Sequence, residues 1–178
     1  MKRETVMICA FGFVCWVCGL CSQKWAHADS GDDVLWLARA MIAEADFVST
    51  TDHAALAHVL IRKAERIPGL SIARIARVYC SGLGPNDART PRLKWVIELN
   101  EAGMQPKHWP KDATWEYYRP LWLAAMDRAQ NAIAGTLPDP CRGRAAHWGS
   151  PTDTPPRGLR RIDCGDTANI FYAIRRVK

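Results

Sequence analysis

This 178-residue chain lacks a long apolar run: the longest, Val6 to Cys21, is borderline, slightly under the ~18 to 20 residues that a permanent membrane-spanning helix requires. Internal repeats, low-complexity tracts and linkers are also lacking, which argues against solenoids and multidomain arrays. There is no nucleophile elbow for a Ser, His and Asp triad. A metal site is poorly supplied, because His53 and His58 stand about 140° apart around a helix and Cys80, Cys141 and Cys164 are too widely spaced for a structural zinc site. Neither a metal nor a cofactor is expected. Lys and Arg are nowhere clustered among aromatics; Arg157, Arg160 and Arg161 make only a short patch, so nucleic acid is not an expected partner.

Residues 1 to 28 read as a targeting segment. Lys2 and Arg3 precede the apolar run, Gln23 and Lys24 close it, and Ala26-His27-Ala28 places small residues where a signal peptidase reads. A cleaved signal peptide is expected, with an uncleaved N-terminal anchor as the alternative and the only route to a membrane. Residues 29 to 178, about 150 in number, then suffice for one domain with a single core. That segment keeps +4 of the chain's net +6, because Lys2, Arg3 and Lys24 leave with Glu4. A moderately basic exported, monomeric protein suits a polyanionic envelope polymer or a headgroup surface. Cys80, Cys141 and Cys164 remain after position 28. Export favours one bridge, and Cys141 with Cys164 is the expected pair, since both lie in the helix-poor tail; such a loop contributes ~3 kcal/mol in the chain-entropy model. Cys80 is then a leftover thiol, expected to be buried.

The fold class expected is mainly α, with an irregular, disulfide-stapled C-terminal tail. A first helix reads forward from Asp33, a second follows the caps Ser49 to Thr51 and stops at Pro68-Gly69, and a short third begins at Ser71. Cys80 to Pro91 is a turn-rich loop. A fourth helix is expected from Arg92 to Ala102 with Gly103 at its C′ position, and a longest helix from about Thr114 to Gly135, in which Pro120 is tolerated only near the first turn. Ile170 to Ile174 reads as a short apolar strand.

Glu44 is the residue with the strongest chemical implication. Leu37, Met41, Glu44 and Val48 recur at the spacing of one helical face, so the carboxylate points toward the core or a cleft. Removal from water raises a carboxyl pKa and equips the group as a general acid. The competing structural reading pairs Glu44 with Arg39 or Arg62. Of the six tryptophans after residue 28, Trp36, Trp95 and Trp122 read as core. Trp109, Trp115, Tyr117, Tyr118 and Trp148 are candidates for a sugar-stacking cleft, each weighed against an ordinary core role. A Cys80 nucleophile paired with His147 or His108 is a further reading that no motif supports.

The run Leu37-Ala38-Arg39-Ala40-Met41-Ile42-Ala43-Glu44-Ala45, followed by Ala57-His58-Val59-Leu60-Ile61-Arg62, resembles the opening helices of the spore-cortex-lytic type of cell wall hydrolases, a lysozyme-like branch. Asp139-Pro140-Cys141, Ala146-His147-Trp148-Gly149 and Asn169-Ile170-Phe171-Tyr172 are similar to that family's closing pattern. Asp46-Phe47-Val48 and Ile61-Arg62 depart from the family's usual turn and Asn-Arg pair. The resemblance implies a lysozyme-like domain that cleaves peptidoglycan glycan strands between N-acetylmuramic acid and N-acetylglucosamine, by hydrolysis or lytic transglycosylation, with Glu44 as general acid. Tyr118, His147 and Trp148 become cleft candidates, and Asn169 is expected to hold a tail loop over the cleft. Asp46, Asp52 and Asp139 are the nearest choices for a second carboxylate; none is convincing, which favours a single-Glu mechanism. A periplasmic or secreted location follows. The alternative is a non-catalytic glycan-binding or envelope-scaffold module of the same fold.

Overall fold

The computed structural model describes residues 30–83 and 94–175. The expected leader and cleavage point, and the segment of the turn-rich loop that contains Gly84, Pro85 and Asn86, lie outside the described residues. Five α-helices precede a small sheet: α1 (Ser30–Ala45), α2 (Thr50–Arg66), α3 (Ile72–Tyr79), a 3-10 turn (Ser81–Leu83), α4 (Lys94–Glu98), α5 (Trp115–Ile133), then β1 (His147–Gly149), β2 (Leu159–Ile162) and β3 (Ile170–Ile174). The chain is thus mainly helical with an irregular tail, and among the described residues no helix is long and apolar enough to cross a membrane.

α1 is the central element. Leu37, Ala38, Ala40 and Met41 are wholly buried, and the helix packs against α2, α3 and α5. Its N-terminal turn is tied to α3, because the Asp33 carboxylate accepts the Ala73 backbone N–H at 2.8 Å. Helix α1 stops at Ala45, earlier than the apolar stripe suggested, so Val48 falls beyond it and is exposed. The cause is local: Asp46 adopts a left-handed φ of 63°, a region that Asp tolerates better than bulky residues. Its carboxylate accepts the N–H groups of Val48 and Ser49 at 2.7 and 3.2 Å, closing an Asx-type turn.

α4 ends at Glu98, short of the expected Ala102, while the expected start at Arg92 lies outside the described residues; the residues just after the helix are held by distant side chains. The Arg39 guanidinium donates twice to the Leu99 carbonyl, at 3.1 and 2.6 Å, and the Trp122 indole donates to the Asn100 carbonyl at 2.8 Å. With those carbonyls taken, the chain turns at Asn100 to Gly103, where Gly103 supplies a φ of 63°. In α5, Pro120 lies in the second turn instead of the first. Pro120 and Glu116 are both exposed, so the carbonyl it leaves unpaired faces water.

In the tail, β3 forms the centre of an antiparallel sheet of order β1-β3-β2. Trp148 and Ile162 both pair with Phe171, which is buried. Cys141 and Cys164 stand at disulfide distance, with sulfurs 2.09 Å apart. The tail is also bolted to the helices: Arg62 donates to Asp139 at 2.5 Å and to the Ala145 carbonyl at 3.1 and 2.9 Å, while His58 bonds the Leu137 carbonyl at 2.9 Å.

Candidate functional site

Glu44 sits in the last turn of α1, neither sealed nor freely exposed. The Trp148 indole N–H donates to its Oε2 at 3.1 Å across 104 residues of sequence. Oε1 is buried and has no hydrogen-bond partner among the described residues. Burial raises the Glu44 pKa above the ordinary carboxylate range, opposed by the Trp148 bond and by the nearby backbone amides of Gly82 and Ser81. A half-satisfied, desolvated carboxylate is costly in a fold, by about 1–3 kcal/mol for an unpaired buried polar atom. Such groups concentrate at functional sites.

The ion-pair alternative for Glu44 does not occur. Arg39 is engaged with the Leu99 carbonyl and stacks 4.6 Å from the Trp36 ring centroid, and Arg62 pairs with Asp139.

Asn169 is brought directly to this position. Its side-chain amide donates to the Glu44 backbone carbonyl at 3.0 Å, which caps an otherwise open carbonyl of the last helical turn. Asn169 is itself held by Asp52, which is wholly buried and accepts the N–H groups of Ala168 and Asn169 at 2.8 and 3.1 Å and the Ser49 hydroxyl at 2.5 Å. From the other side, His53 bonds the Asp46 carbonyl at 2.7 Å. Burial lowers its pKa, so the ring is neutral and donates through Nε2. Sequence reasoning missed the Asp52 clamp, the His53 prop and the Ser81-Gly82 amides. Asp52 stands in the first turn of α2, where an acidic residue suits the helix dipole, and nothing local signals partners more than a hundred residues away.

The three candidate second carboxylates are all occupied. Asp46 closes its turn, Asp52 clamps the tail, and Asp139 takes Arg62 and the N–H groups of Cys141 and Gly143. Hydrogen bonds and the Arg62 charge hold Asp139 below the ordinary carboxylate range even though burial opposes them. Asp46 engages only Oδ1 and is exposed, so Glu44 is the acid of this group whose unpartnered oxygen is buried.

The aromatic candidates separate. Trp148 is 5% exposed and Trp115 5%, with Trp109 at 9%, so these rings are core and offer no open face to a sugar. Trp148 acts on Glu44 through its N–H instead. Tyr118 is half-buried, with its ring 5.0 Å from Phe47 and 5.2 Å from Trp109. Phe47 also stacks on Trp95 at 5.6 Å, and Tyr117 beside Tyr118 is exposed. This aromatic ledge begins three residues after Glu44. His147 goes elsewhere. Its ring centroid is 5.8 Å from that of Trp148, but Trp148 reaches Glu44, whereas His147 lines a cavity of about 330 Å³ with Lys63 and Tyr79. A second cavity, of about 390 Å³, is bordered by Asn169, Thr167 and Arg161. Neither cavity has Glu44, Tyr118 or Trp148 in its lining.

Cys80 is buried beside the same acid. Burial pushes its thiol pKa well up, and the Glu44 charge pushes it further, so Cys80 is no thiolate nucleophile. Among the described residues no group of three or more His, Cys, Asp and Glu side chains is placed to hold a metal ion. No protein-family model, no curated protein and no solved structure matches this chain.

Proposed function

We propose that this chain is an exported, monomeric, lysozyme-like enzyme that cleaves peptidoglycan glycan strands, with Glu44 as its single acid and base. One observation carries the reading: a carboxyl group on the end of the central helix, lifted in pKa by burial, with one oxygen anchored by Trp148 and the other unpartnered. Protonated Glu44 gives its proton to the glycosidic oxygen as the bond to C1 of the muramic acid breaks toward an oxocarbenium-like state. With Asp52 and Asp139 fully engaged and Asp46 closing its own turn, the ionised Glu44 then takes the proton of the sugar's own C6 hydroxyl as that oxygen closes on C1, the transglycosylation route. The acetamido group assists by sheltering the developing charge.

Asn169 and the Asp52 clamp keep the α1 terminus in place, and Tyr118, packed on Phe47 with the exposed Tyr117 at its edge, is the aromatic surface offered for sugar contact. The Cys141 and Cys164 pair supports an oxidising compartment. A second reading, a glycan-binding or envelope-scaffold module without catalysis, is favoured by the absence of Glu44 from the lining of both cavities. Digestion of purified peptidoglycan, followed by mass spectrometry of the products, separates the two. The parent protein is expected to release disaccharide-peptides ending in anhydro-muramic acid, and Glu44→Gln to lose at least about a hundredfold of that activity, the scale of a general acid. Full activity in Glu44→Gln, or none in the parent, overturns the proposal.

A further inference from the structure

The cavity lined by His147 is a feature that the Glu44 chemistry does not use. The cavity of about 330 Å³ lies between α2, the end of α3 and the tail; Ile67, Tyr79, Pro156, Leu159 and Ile174 make it largely apolar, and its ionisable groups are Lys63, Arg66 and His147. It contains no acidic side chain. Tyr79 and Ile174, at 41% and 57% exposure, belong to the small set of large apolar side chains that this protein leaves open to water. Exposed apolar surface gathered at a concavity marks a binding site more often than an accident of packing.

The charges tell which ligand fits. The Lys63 ammonium lies over the Tyr79 ring, 4.2 Å from its centroid. Among the described residues, the ion pairs are Arg62 with Asp139, Arg77 with Asp32 and His108 with Glu98; Lys63 and Arg66 enter none of them. A cation half-withdrawn from water without a counter-ion is an incomplete arrangement. Burial and the neighbouring Arg66 charge lower the Lys63 pKa, and burial together with the Lys63 charge lowers that of His147. The acid that acts on His147 is Asp153, which opposes that lowering from the loop after β1 and whose carboxylate is already bonded to the Ser150 N–H at 2.7 Å.

The geometry points to a binding site for a small carboxylate with an apolar body, the anion between Lys63, Arg66 and His147 and the body against Tyr79, Leu159 and Ile174. The inference is independent of what Glu44 does.

Hexanoate is the probe, with 1-hexanol as its uncharged counterpart. Titrations of the whole protein followed by aromatic NMR are expected to move the Tyr79 and His147 ring signals saturably. Hexanoate should bind about tenfold tighter than hexanol, the scale of one charge-assisted contact. Lys63→Met, which keeps the apolar stem, should abolish the preference while leaving hexanol binding unchanged. Arg66 is exposed, so Arg66→Gln folds normally and should weaken hexanoate alone. Equal affinity for hexanoate and hexanol, signals that move elsewhere in the molecule, or a preference that survives both substitutions would overturn the inference.

Discussion

Trp148→Phe tests the geometry on which the acid depends. The substitution keeps an aromatic ring in a buried position and removes the N–H that reaches Glu44 Oε2 at 3.1 Å. A hydrogen bond to an ionised group is worth about 1.5–3 kcal/mol, and shrinking the buried ring costs about 1 kcal/mol more. Above the raised Glu44 pKa, where the carboxylate is ionised, the loss is therefore about 2.5–4 kcal/mol, which lowers Tm by roughly 5–16 °C for a domain of this size.

The pH dependence identifies the cause of that loss. Burial already raises the Glu44 pKa, and the Trp148 bond counteracts it; Phe at this position raises the pKa further. A carboxyl group with a raised folded-state pKa stabilises the fold below its unfolded pKa, and that contribution is lost as pH rises through the folded value. The variant should consequently recover about 1–1.5 kcal/mol on acidification, where only a neutral hydrogen bond is missing. In the Glu44→Gln background the same recovery should vanish. Thermal unfolding by circular dichroism from about pH 4 to about pH 8 reads both effects. A deficit that stays flat across that range, or is unaltered by Glu44→Gln, refutes the claim that Trp148 holds the charged form of Glu44.

Asp52→Asn should destabilise the protein by about 2–4 kcal/mol, because an amide accepts through one oxygen and turns its NH₂ toward a donor where Asp52 serves three; the measurement is urea unfolding. Its effect on strand cleavage should exceed its effect on stability, since Asn169 and the Glu44 carbonyl lose their tether together. Reducing the Cys141–Cys164 bridge, which spans 23 residues, should cost about 3 kcal/mol in the chain-entropy model and lower Tm without abolishing the helical circular dichroism signal. An unchanged Tm under reductant would show that the tail is held by the Arg62 and Asp52 bonds alone.

What could be read in the sequence divides along the range of the interactions involved. α3 begins and α2 ends on local chemistry: the Ser71 hydroxyl accepts the Arg74 N–H at 3.2 Å, and Gly69 takes a φ of 80° just beyond α2, whereas Ser49 starts α2 without a side-chain cap bond. Such signals need only a few neighbours. α4 ends where Arg39 and Trp122 capture the carbonyls just after it, and no window around Leu99 contains that information. β2 was missed for the same reason, since Leu159-Arg160-Arg161-Ile162 has no clear alternation and becomes a strand by pairing with β3. The candidate site follows this division. The burial of Glu44 was legible because a helical stripe is local, but the roles of its neighbours were not. Trp148, a candidate for stacking on sugar weighed against a core role, is buried and donates a hydrogen bond to Glu44; His147, its ring 5.8 Å from that of Trp148, lines a cavity that does not include Glu44. Both outcomes follow from one fact that only the folded sheet supplies, the register that sets Trp148 opposite Phe171 and thereby turns the indole toward α1. A one-residue slip would exchange the two rings and leave the acid without its donor. The short tail sheet, and not the helix that carries Glu44, therefore decides whether that carboxyl group is positioned for chemistry.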